Sequence, residues 1–208
     1  MITLHHLNNS RSQRILWLFE ELGLDYEIVK HQRDSVTRLA PDALKAIHPL
    51  GKSPVIVDKG RTIFESGAII DYVIDQYGAG RLRPAAGTSD HIDYQQWLHF
   101  AEGSAMLPLL MAMYVSRLGE AGAPLHPRIG SQIADHLSFM EGHLQGRDFI
   151  IGSDLTGADI NNVFVLEAAA SGGRLASYPA LTAYLARMQG RDAYKRGLER
   201  GGVYALGA

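Results

Sequence analysis

The stretch HPLGKSPVIV, residues 48–57, places two prolines ahead of a run of β-branched residues. Proline has no N–H group to donate, so within a sheet it is confined to edges, bulges or the first residue of a strand. Pro54 directly precedes Val55, and this order predicts that a strand begins at Val55. A cis peptide bond before Pro54 suits a strand that starts after a turn, and a trans proline at the strand start is the alternative.

A cis bond at Pro54 would leave the backbone N–H and C=O groups of Ser53 outside the hydrogen bonds of the sheet. An extended peptide can pair with such groups as an added strand. The stretch therefore predicts a docking edge, one residue long, for a peptide-like ligand.

The residues on either side predict a four-stranded sheet. The first residues alternate as a strand does, and helical periodicity then runs from Arg14 to Leu22, where Gly23 ends it. A hairpin follows Pro54, and the next helix ends at Gly78. The predicted strands are Ile2–Leu7, Tyr26–Val29, Val55–Asp58 and Thr62–Phe64, with a short helix over residues 42–47. A βαβ unit followed by a hairpin and a helix predicts an α/β domain with a mixed sheet.

Strand signals stop after residue 78. Residues 79–90 are rich in Gly, Pro and Ala without apolar periodicity, which predicts a linker. The remainder predicts helices over residues 91–117, 127–145, 159–171, 179–189 and 191–198. Thr156 and Asp159 have the spacing of a capping box, which is a structural feature of helix starts. The predicted organisation is an α/β domain over residues 1–78, a linker over 79–90 and an all-α domain over 91–208.

Composition and charge exclude several classes of function. The net charge of −2 argues against a nucleic acid or an anionic membrane as partner, and the absence of cysteine excludes a cysteine nucleophile. There is no signal-peptide pattern and no run of about 18 apolar residues, which predicts a cytoplasmic protein without a membrane span. His5 and His6 are adjacent on a strand, so they face opposite sides, and we expect partly solvated side chains rather than metal ligands.

Two helix starts carry polar residues suited to bind an anion. Ser66 precedes an apolar helix and is predicted to be its N-cap, where free N–H groups can hold a carboxylate. Glu65 beside it can take an ammonium group, so the pair can bind the end of an α-amino acid; an ordinary cap with a solvated acid is the alternative. Ser10, in the turn before the first helix, can donate to an anion, although Ser10 or Ser12 can also simply cap that helix.

These stretches, in this order, resemble the glutathione transferase family over essentially the whole chain. NNSRSQRILWLFEELGLDYE, HPLGKSPVI and IFESGAIIDYVIDQYG are similar to its thioredoxin-like N-terminal domain. The linker and the helical remainder, with LTGADI, are similar to its all-α C-terminal domain. The resemblance implies a thioredoxin-like domain with a mixed four-stranded sheet, followed by an all-helical domain.

The resemblance also implies how glutathione is bound. Ser10, four residues before Arg14, matches the serine that theta- and delta-like members use to hold the glutathione thiolate. Ser53 matches the residue whose backbone pairs with the cysteinyl part of glutathione, next to the cis-proline that Pro54 matches. Three further matches complete the glutathione site: Glu65 and Ser66 for the γ-glutamyl end, and Lys52 for the glycyl carboxylate.

The sequence departs from the family pattern in two places. The family commonly has a bulky apolar residue where Ser53 stands, and asparagine where His48 stands. Backbone pairing tolerates any side chain, so the first departure is minor. The tyrosine of other classes is missing near the turn, because His5 and His6 occupy that strand, and the thiolate role therefore depends on the serines.

The resemblance implies a transferase that joins glutathione, as co-substrate, to a small apolar electrophile in detoxification, without a metal, in a homodimer. The stretch MLPLLMAMYVSRL indicates a second-substrate pocket, although such a stripe is more often core; its candidates are Met106, Leu110, Met113 and Tyr114. The alternatives are a glutathione-dependent peroxidase or isomerase on the same site, and a non-catalytic glutathione-binding or interaction module.

Overall fold

The structure, a computed structural model, describes residues 1–206. A four-stranded sheet is formed by β1 (Ile2–Leu7), β2 (Tyr26–His31), β3 (Val55–Asp58) and β4 (Arg61–Phe64), in the order β2-β1-β3-β4. β1 runs parallel to β2 and antiparallel to β3, and β3 runs antiparallel to β4. The predicted mixed sheet is confirmed. β2 continues two residues beyond its predicted end, because His31 still pairs with Leu7 of β1.

Three helices accompany the sheet: α1 (Ser12–Leu22), α2 (Asp42–Lys45) and α3 (Ser66–Tyr77). Most of α1 is buried. α1 ends at Gly23, whose φ of 67° lets its N–H return to the carbonyl of Glu20. α2 is shorter than the predicted helix over residues 42–47.

The helical part of the chain contains α4 (Ser89–Phe100), α5 (Met106–Val115), α6 (His126–Leu144), α7 (Gly157–Ser171) and α8 (Pro179–Gln189). The predicted helix over residues 91–117 corresponds to a continuous helical run, but this run is not α-helical throughout. A π-helical turn, Ala101–Ala105, separates α4 from α5, and a 3₁₀ segment, Ser116–Leu125, follows. The helical run from Ser89 to Leu144 contains an 18-residue window with a mean hydropathy of 1.2. By length and composition alone, this run could cross a membrane. This is weak support for a span, because apolar core helices pass the same test and the run is kinked at Gly119.

The last helix, α9 (Asp192–Gly201), packs against α1. The chain divides into two units, one with Met1–Arg83 and residues 188–206, the other with Pro84–Arg187. Gly197 permits the close approach, since a Cβ there would lie 3.1 Å from the backbone nitrogen of Trp17. Arg191 adds an ion pair with Glu21 at 2.6 Å. The sequence pattern did not indicate this placement of α9, and the predicted boundaries at 78 and 90 stay predictions.

Candidate active site

The register of the sheet brings three polar stretches to one end of it. His5 of β1 pairs with Val55 of β3, which in turn pairs with Phe64 of β4. β1 continues past this rung into the turn that holds Ser10. β3 begins at the rung directly after Pro54, and β4 ends there directly before α3. Residues far apart in the sequence therefore lie at the same end of the sheet, as the strand register requires.

The turn before α1 distinguishes the two serines. Ser12, the first residue of α1, is fully buried, whereas Ser10 keeps 5% of its surface exposed. The N-cap position belongs to Arg11, which makes no side-chain capping hydrogen bond, so neither serine is the N-cap residue. The Ser10 hydroxyl oxygen instead accepts the N–H of Ser12 at 3.2 Å. Both serines are buried, and Ser10 is the one with a residual exposed fraction.

The turn itself is held from two sides. Asn9 has a left-handed backbone with φ of 50°, a conformation that asparagine tolerates. Arg33 donates its backbone N–H to Asn8 Oδ1 at 2.8 Å and its Nε to the Asn8 carbonyl at 3.1 Å. The N–H of Ala205, beyond α9, donates to Asn9 Oδ1 at 2.7 Å. Arg33 is a positioning residue that no sequence pattern indicated, because it reaches the turn from beyond β2.

The Ser53–Pro54 peptide bond is cis, as the resemblance implies. Ser53 precedes β3, and its hydroxyl donates to the carbonyl of His5 at 2.9 Å. Among the loop and turn hydrogen bonds that join backbone groups within residues 1–206, none involves Ser53. Its backbone is thus available at the sheet edge, and Lys52 beside it is exposed.

The junction of β4 and α3 differs in one detail from the prediction. α3 begins at Ser66, so Glu65 and not Ser66 occupies the N-cap position. Glu65 has φ of 67° and ψ of 125°, and its carbonyl accepts the N–H of Ile69 at 2.9 Å. A left-handed φ in a residue other than glycine costs on the order of 1–3 kcal/mol and is typical of ligand-binding sites. The Glu65 side chain is exposed and Ser66 is buried.

The expectation of partly solvated histidines on β1 is wrong, because both are buried. His5 Nδ1 lies 3.1 Å from Nε2 of His31, and His6 Nδ1 lies 2.9 Å from the hydroxyl oxygen of Ser12. Burial lowers the pKa of all three histidines; Lys30 and His31 add to the effect at His6, whose pKa falls to about 4.

A signal for the burial of His6 was present in the sequence. Strand side chains alternate between two faces, so His6 shares its face with Ile2 and Leu4, both apolar and buried. A histidine that continues an apolar face faces the core. The two neighbouring histidines therefore lie on opposite faces of the sheet.

We expect the free energy of unfolding to fall as the pH drops from 6.5 toward 4. Unfolded His6, with its ordinary pKa of 6.5, takes up a proton there, whereas the folded state with a pKa of about 4 does not, which corresponds to up to about 3 kcal/mol. Denaturant unfolding at a series of pH values measures this slope. His6→Asn should reduce the slope without abolishing it, because His5 and His31 also have lowered pKa values. The exposed His99→Asn is the control, and an equal slope in wild type and His6→Asn would contradict the prediction.

The predicted second-substrate residues lie at and within α5. Met106 is buried, Leu110 is half-buried, and Met113 and Tyr114 are 44% and 58% exposed. Arg117 lies over the ring of Tyr114 at 5.6 Å. Met113 and Tyr114 have surface for an apolar ligand, Met106 contributes to the core, and the pocket stays a prediction.

At the position of the second family departure, where His48 stands in place of asparagine, His48 stacks on Phe64 with ring centroids 4.2 Å apart. The two rings cover one another beside the junction that leads to Glu65. Within residues 1–206, no group of three or more His, Asp or Glu side chains is arranged to hold a metal ion.

Two family models match this chain. The model described as glutathione S-transferase, N-terminal domain, matches residues 1–75, and the model described as glutathione S-transferase, C-terminal domain, matches residues 104–192. The first match contains the serine turn, Pro54 and the start of α3. The second lies within the helical remainder of the chain.

Curated proteins give the same result. The chain is 34% identical to glutathione S-transferase 3 of Schizosaccharomyces pombe, over 81% of this chain and 74% of that protein. It is 31% identical to glutathione S-transferase 1 of Saccharomyces cerevisiae, over 100% of this chain and 97% of that protein. It is also 29% identical to a probable elongation factor 1-gamma 2 of Arabidopsis thaliana, over 73% of this chain but 37% of that protein.

Solved structures share the fold over nearly the full length. A glutathione S-transferase from Actinobacillus pleuropneumoniae superposes with a TM-score of 0.90 at 35% identity, over 100% of this chain and 99% of that chain. A sphingomonad glutathione S-transferase complexed with glutathione superposes with a TM-score of 0.79 at 27% identity, over 97% of this chain and 99% of that chain.

Proposed function

Because this chain belongs to the glutathione S-transferase family and is a transferase, we propose that it joins the thiolate of glutathione to an apolar electrophile, with Ser10 holding the thiolate. The observation that supports the proposal is the rung His5–Val55–Phe64, because β1 leads from it toward the turn of Ser10 and Ser53 lies two residues before Val55 of the same rung. A tripeptide laid along this edge places its central cysteine beside both.

The proposed binding mode uses one group for each part of glutathione. The backbone of Ser53, before the cis bond to Pro54, pairs with the cysteinyl residue as an added strand. The N-terminus of α3 at Ser66 holds the γ-glutamyl carboxylate, and Glu65 takes the ammonium group. Lys52, exposed beside Ser53, pairs with the glycyl carboxylate. Each contact joins complementary charges or backbone groups.

The proposed chemistry is stabilisation of a thiolate followed by its attack. The thiol proton is released to solvent, and Ser10 donates a hydrogen bond to the resulting thiolate. The sulfur then forms a bond to the electrophilic carbon while the leaving group departs with the bonding electrons. A free thiol has a pKa of about 8.5, and lowering it by two units needs about 2.7 kcal/mol. One hydrogen bond to a charged group, together with a helix N-terminus, is of this size.

A second candidate is a module that binds glutathione or a protein partner without turnover. The similarity to a probable elongation factor 1-gamma favours it, because that protein extends well beyond the matched region. A peroxidase or isomerase reaction on the same site is the enzymatic alternative. The absence of cysteine argues against reductases that use their own thiol.

Two measurements on the purified chain test the proposal: turnover with glutathione and an aryl halide, and glutathione binding by calorimetry. Conjugation with saturable glutathione supports the transferase proposal. Binding without turnover favours the module, and turnover with hydroperoxides alone favours the peroxidase. No binding at millimolar glutathione would refute the proposed site.

We expect Glu65→Ala to weaken glutathione binding by about tenfold or more and to leave the turnover rate at saturating glutathione nearly unchanged. The side chain is exposed, so its removal leaves the fold intact, and the loss is that of one charge-assisted hydrogen bond. Calorimetric affinity and KM for glutathione measure the effect. Glu120→Ala removes an equally exposed acid from the helical unit as the control. Unaltered affinity in Glu65→Ala would remove Glu65 from the site.

A cytoplasmic location, a role in detoxification and a two-fold symmetric homodimer are parts of the same proposal. They rest on the family resemblance and on the charge of −2, which gives no electrostatic reason for a nucleic-acid partner.

A further inference from the structure

Behind Ser10, a chain of hydrogen bonds leads into the core. The hydroxyl oxygens of Ser10 and Ser12 are 2.8 Å apart, and the Ser12 oxygen is 2.9 Å from Nδ1 of His6. All three side chains are buried, with 5%, 0% and 3% of their surface exposed. Ser12 thus connects Ser10, in the turn before α1, with a histidine on the core face of β1.

The hydrogen bonds that link Ser10, Ser12 and His6 can all donate toward Ser10 or all donate toward His6, as a count of the protons shows. The Ser12 hydroxyl has one proton and two lone pairs, and the N–H of Leu7 takes one lone pair at 3.2 Å. The remaining lone pair and the proton are left for His6 and Ser10, since the alternative acceptor, the Leu7 carbonyl, lies farther away at 3.3 Å. Ser12 therefore accepts from one of its two side-chain neighbours and donates to the other.

The ring nitrogen that carries the proton of His6 sets the direction. If Nδ1 carries it, His6 donates to Ser12 and Ser12 donates to Ser10. The Ser10 oxygen then accepts from both the hydroxyl and the N–H of Ser12, and its own proton is left to point outward. If Nδ1 is bare, both hydroxyl protons point inward, and Ser10 has none to give to a ligand.

We propose that His6, with its proton on Nδ1, acts through Ser12 to aim the Ser10 hydroxyl proton at the glutathione sulfur. His6 and Ser12 are positioning residues, and this inference rests on the proposed function, in which Ser10 holds the thiolate. Burial lowers the pKa of His6 to about 4, so near neutral pH its ring has a single proton, whose place decides the direction. The fixed orientation is present before glutathione arrives.

The test measures the pKa of the glutathione thiol bound to each variant, from the ultraviolet absorbance of the thiolate. Ser12→Ala and His6→Leu should raise this pKa by about 0.5 to 1 unit. His6→Asn, whose amide can donate near the position of Nδ1, should restore most of the shift. His99→Leu, which removes an exposed histidine of α4, should leave the thiol pKa unchanged.

A double-mutant cycle separates positioning from general structural damage. In a Ser10→Ala background, Ser12→Ala and His6→Leu should cause no further shift in the thiol pKa, because no hydroxyl is left to aim. A merely structural role would produce the same loss in both backgrounds. If Ser12→Ala does not fold, the His6 variants decide the matter alone.

The outcomes distinguish this inference from the proposed function. If Ser10→Ala raises the thiol pKa and the Ser12 and His6 variants do not, the positioning role is wrong and the proposed function stands. If Ser10→Ala leaves the thiol pKa unchanged, the proposed thiolate role itself fails. Nitrogen NMR of the His6 ring gives a direct reading, since a proton on Nε2 instead of Nδ1 would overturn the inference.

Discussion

Ser10→Ala is expected to raise the pKa of the bound glutathione thiol by up to about two units, toward the value of about 8.5 for a free thiol. Ser10 keeps 5% of its residue surface exposed, whereas Ser12 in the same turn keeps none. Removal of the Ser10 hydroxyl leaves the sulfur with the weaker field of the α1 N-terminus alone. The shift is read from the pH dependence of thiolate absorbance in the binary complex with glutathione.

The effect on turnover should be smaller than the effect on ionisation. At pH 7 a rise in pKa from about 6.5 to 8.5 lowers the thiolate fraction about 25-fold. The remaining thiolate is more basic and more nucleophilic, which offsets part of this loss. We therefore expect turnover at pH 7 to fall by about tenfold and to recover as the pH rises through 8.5, with glutathione affinity nearly intact.

Ser131→Ala is the matched control for this prediction. Ser131 is an exposed serine of α6 whose hydroxyl donates to the carbonyl of Arg128 at 3.0 Å. Its variant should keep both the thiol pKa and the pH profile of the wild type. An unchanged thiolate absorbance in Ser10→Ala would show that another group holds the sulfur, and Ser12 is too buried to replace it directly.

The sequence was sufficient for the sheet because strand and helix periodicities are local. Pro54 marked the start of β3, and the apolar alternation of the first residues marked β1, both of which the structure confirms. The π-helical turn Ala101–Ala105 was not predicted, since its composition continues the helical pattern of α4 and only the hydrogen bonding differs. The packing of α9 on α1 was not predicted for a different reason: it depends on a close approach at Gly197 that no sequence periodicity encodes.

The candidate site was likewise predicted from the sequence only in part. The serine turn and the strand start after Pro54 were predicted because each lies in a short stretch with its own turn chemistry, whereas the cis form of the Ser53–Pro54 bond was implied by the family resemblance. The link from Ser10 through Ser12 to His6 was not predicted, since it depends on how β1 and α1 meet. The left-handed backbone of Glu65 also escaped, because glutamate has no preference for that conformation.

The second large effect concerns Asp159, at the start of α7. Its carboxylate is fully buried and accepts four hydrogen bonds of 2.8 Å. Oδ2 accepts the N–H and the hydroxyl of Thr156, which completes the predicted capping box. Oδ1 accepts the N–H of Ile150 and the phenol of Tyr184. Burial raises the pKa of Asp159, and the four hydrogen bonds oppose that rise.

We expect Asp159→Ala to lower the free energy of unfolding by about 3–5 kcal/mol, because it leaves four buried donors without an acceptor. Asp159→Asn should be nearly as damaging, since its amide nitrogen would face groups that themselves donate. The loss should appear as a lower denaturant midpoint. The total loss of helical circular dichroism across the transition should equal that of the wild type.

Thr88→Ala is the matched control, because Thr88 caps α4 in an exposed position and accepts the N–H of His91 at 3.2 Å. Loss of an exposed cap costs about 1 kcal/mol. Tyr184→Phe removes a single donor from Asp159 and should also cost about 1 kcal/mol, since a buried carboxylate that loses one of four hydrogen bonds keeps the other three. If Asp159→Ala costs no more than Thr88→Ala, burial adds nothing to this cap, and the helical unit is held by its apolar contacts alone.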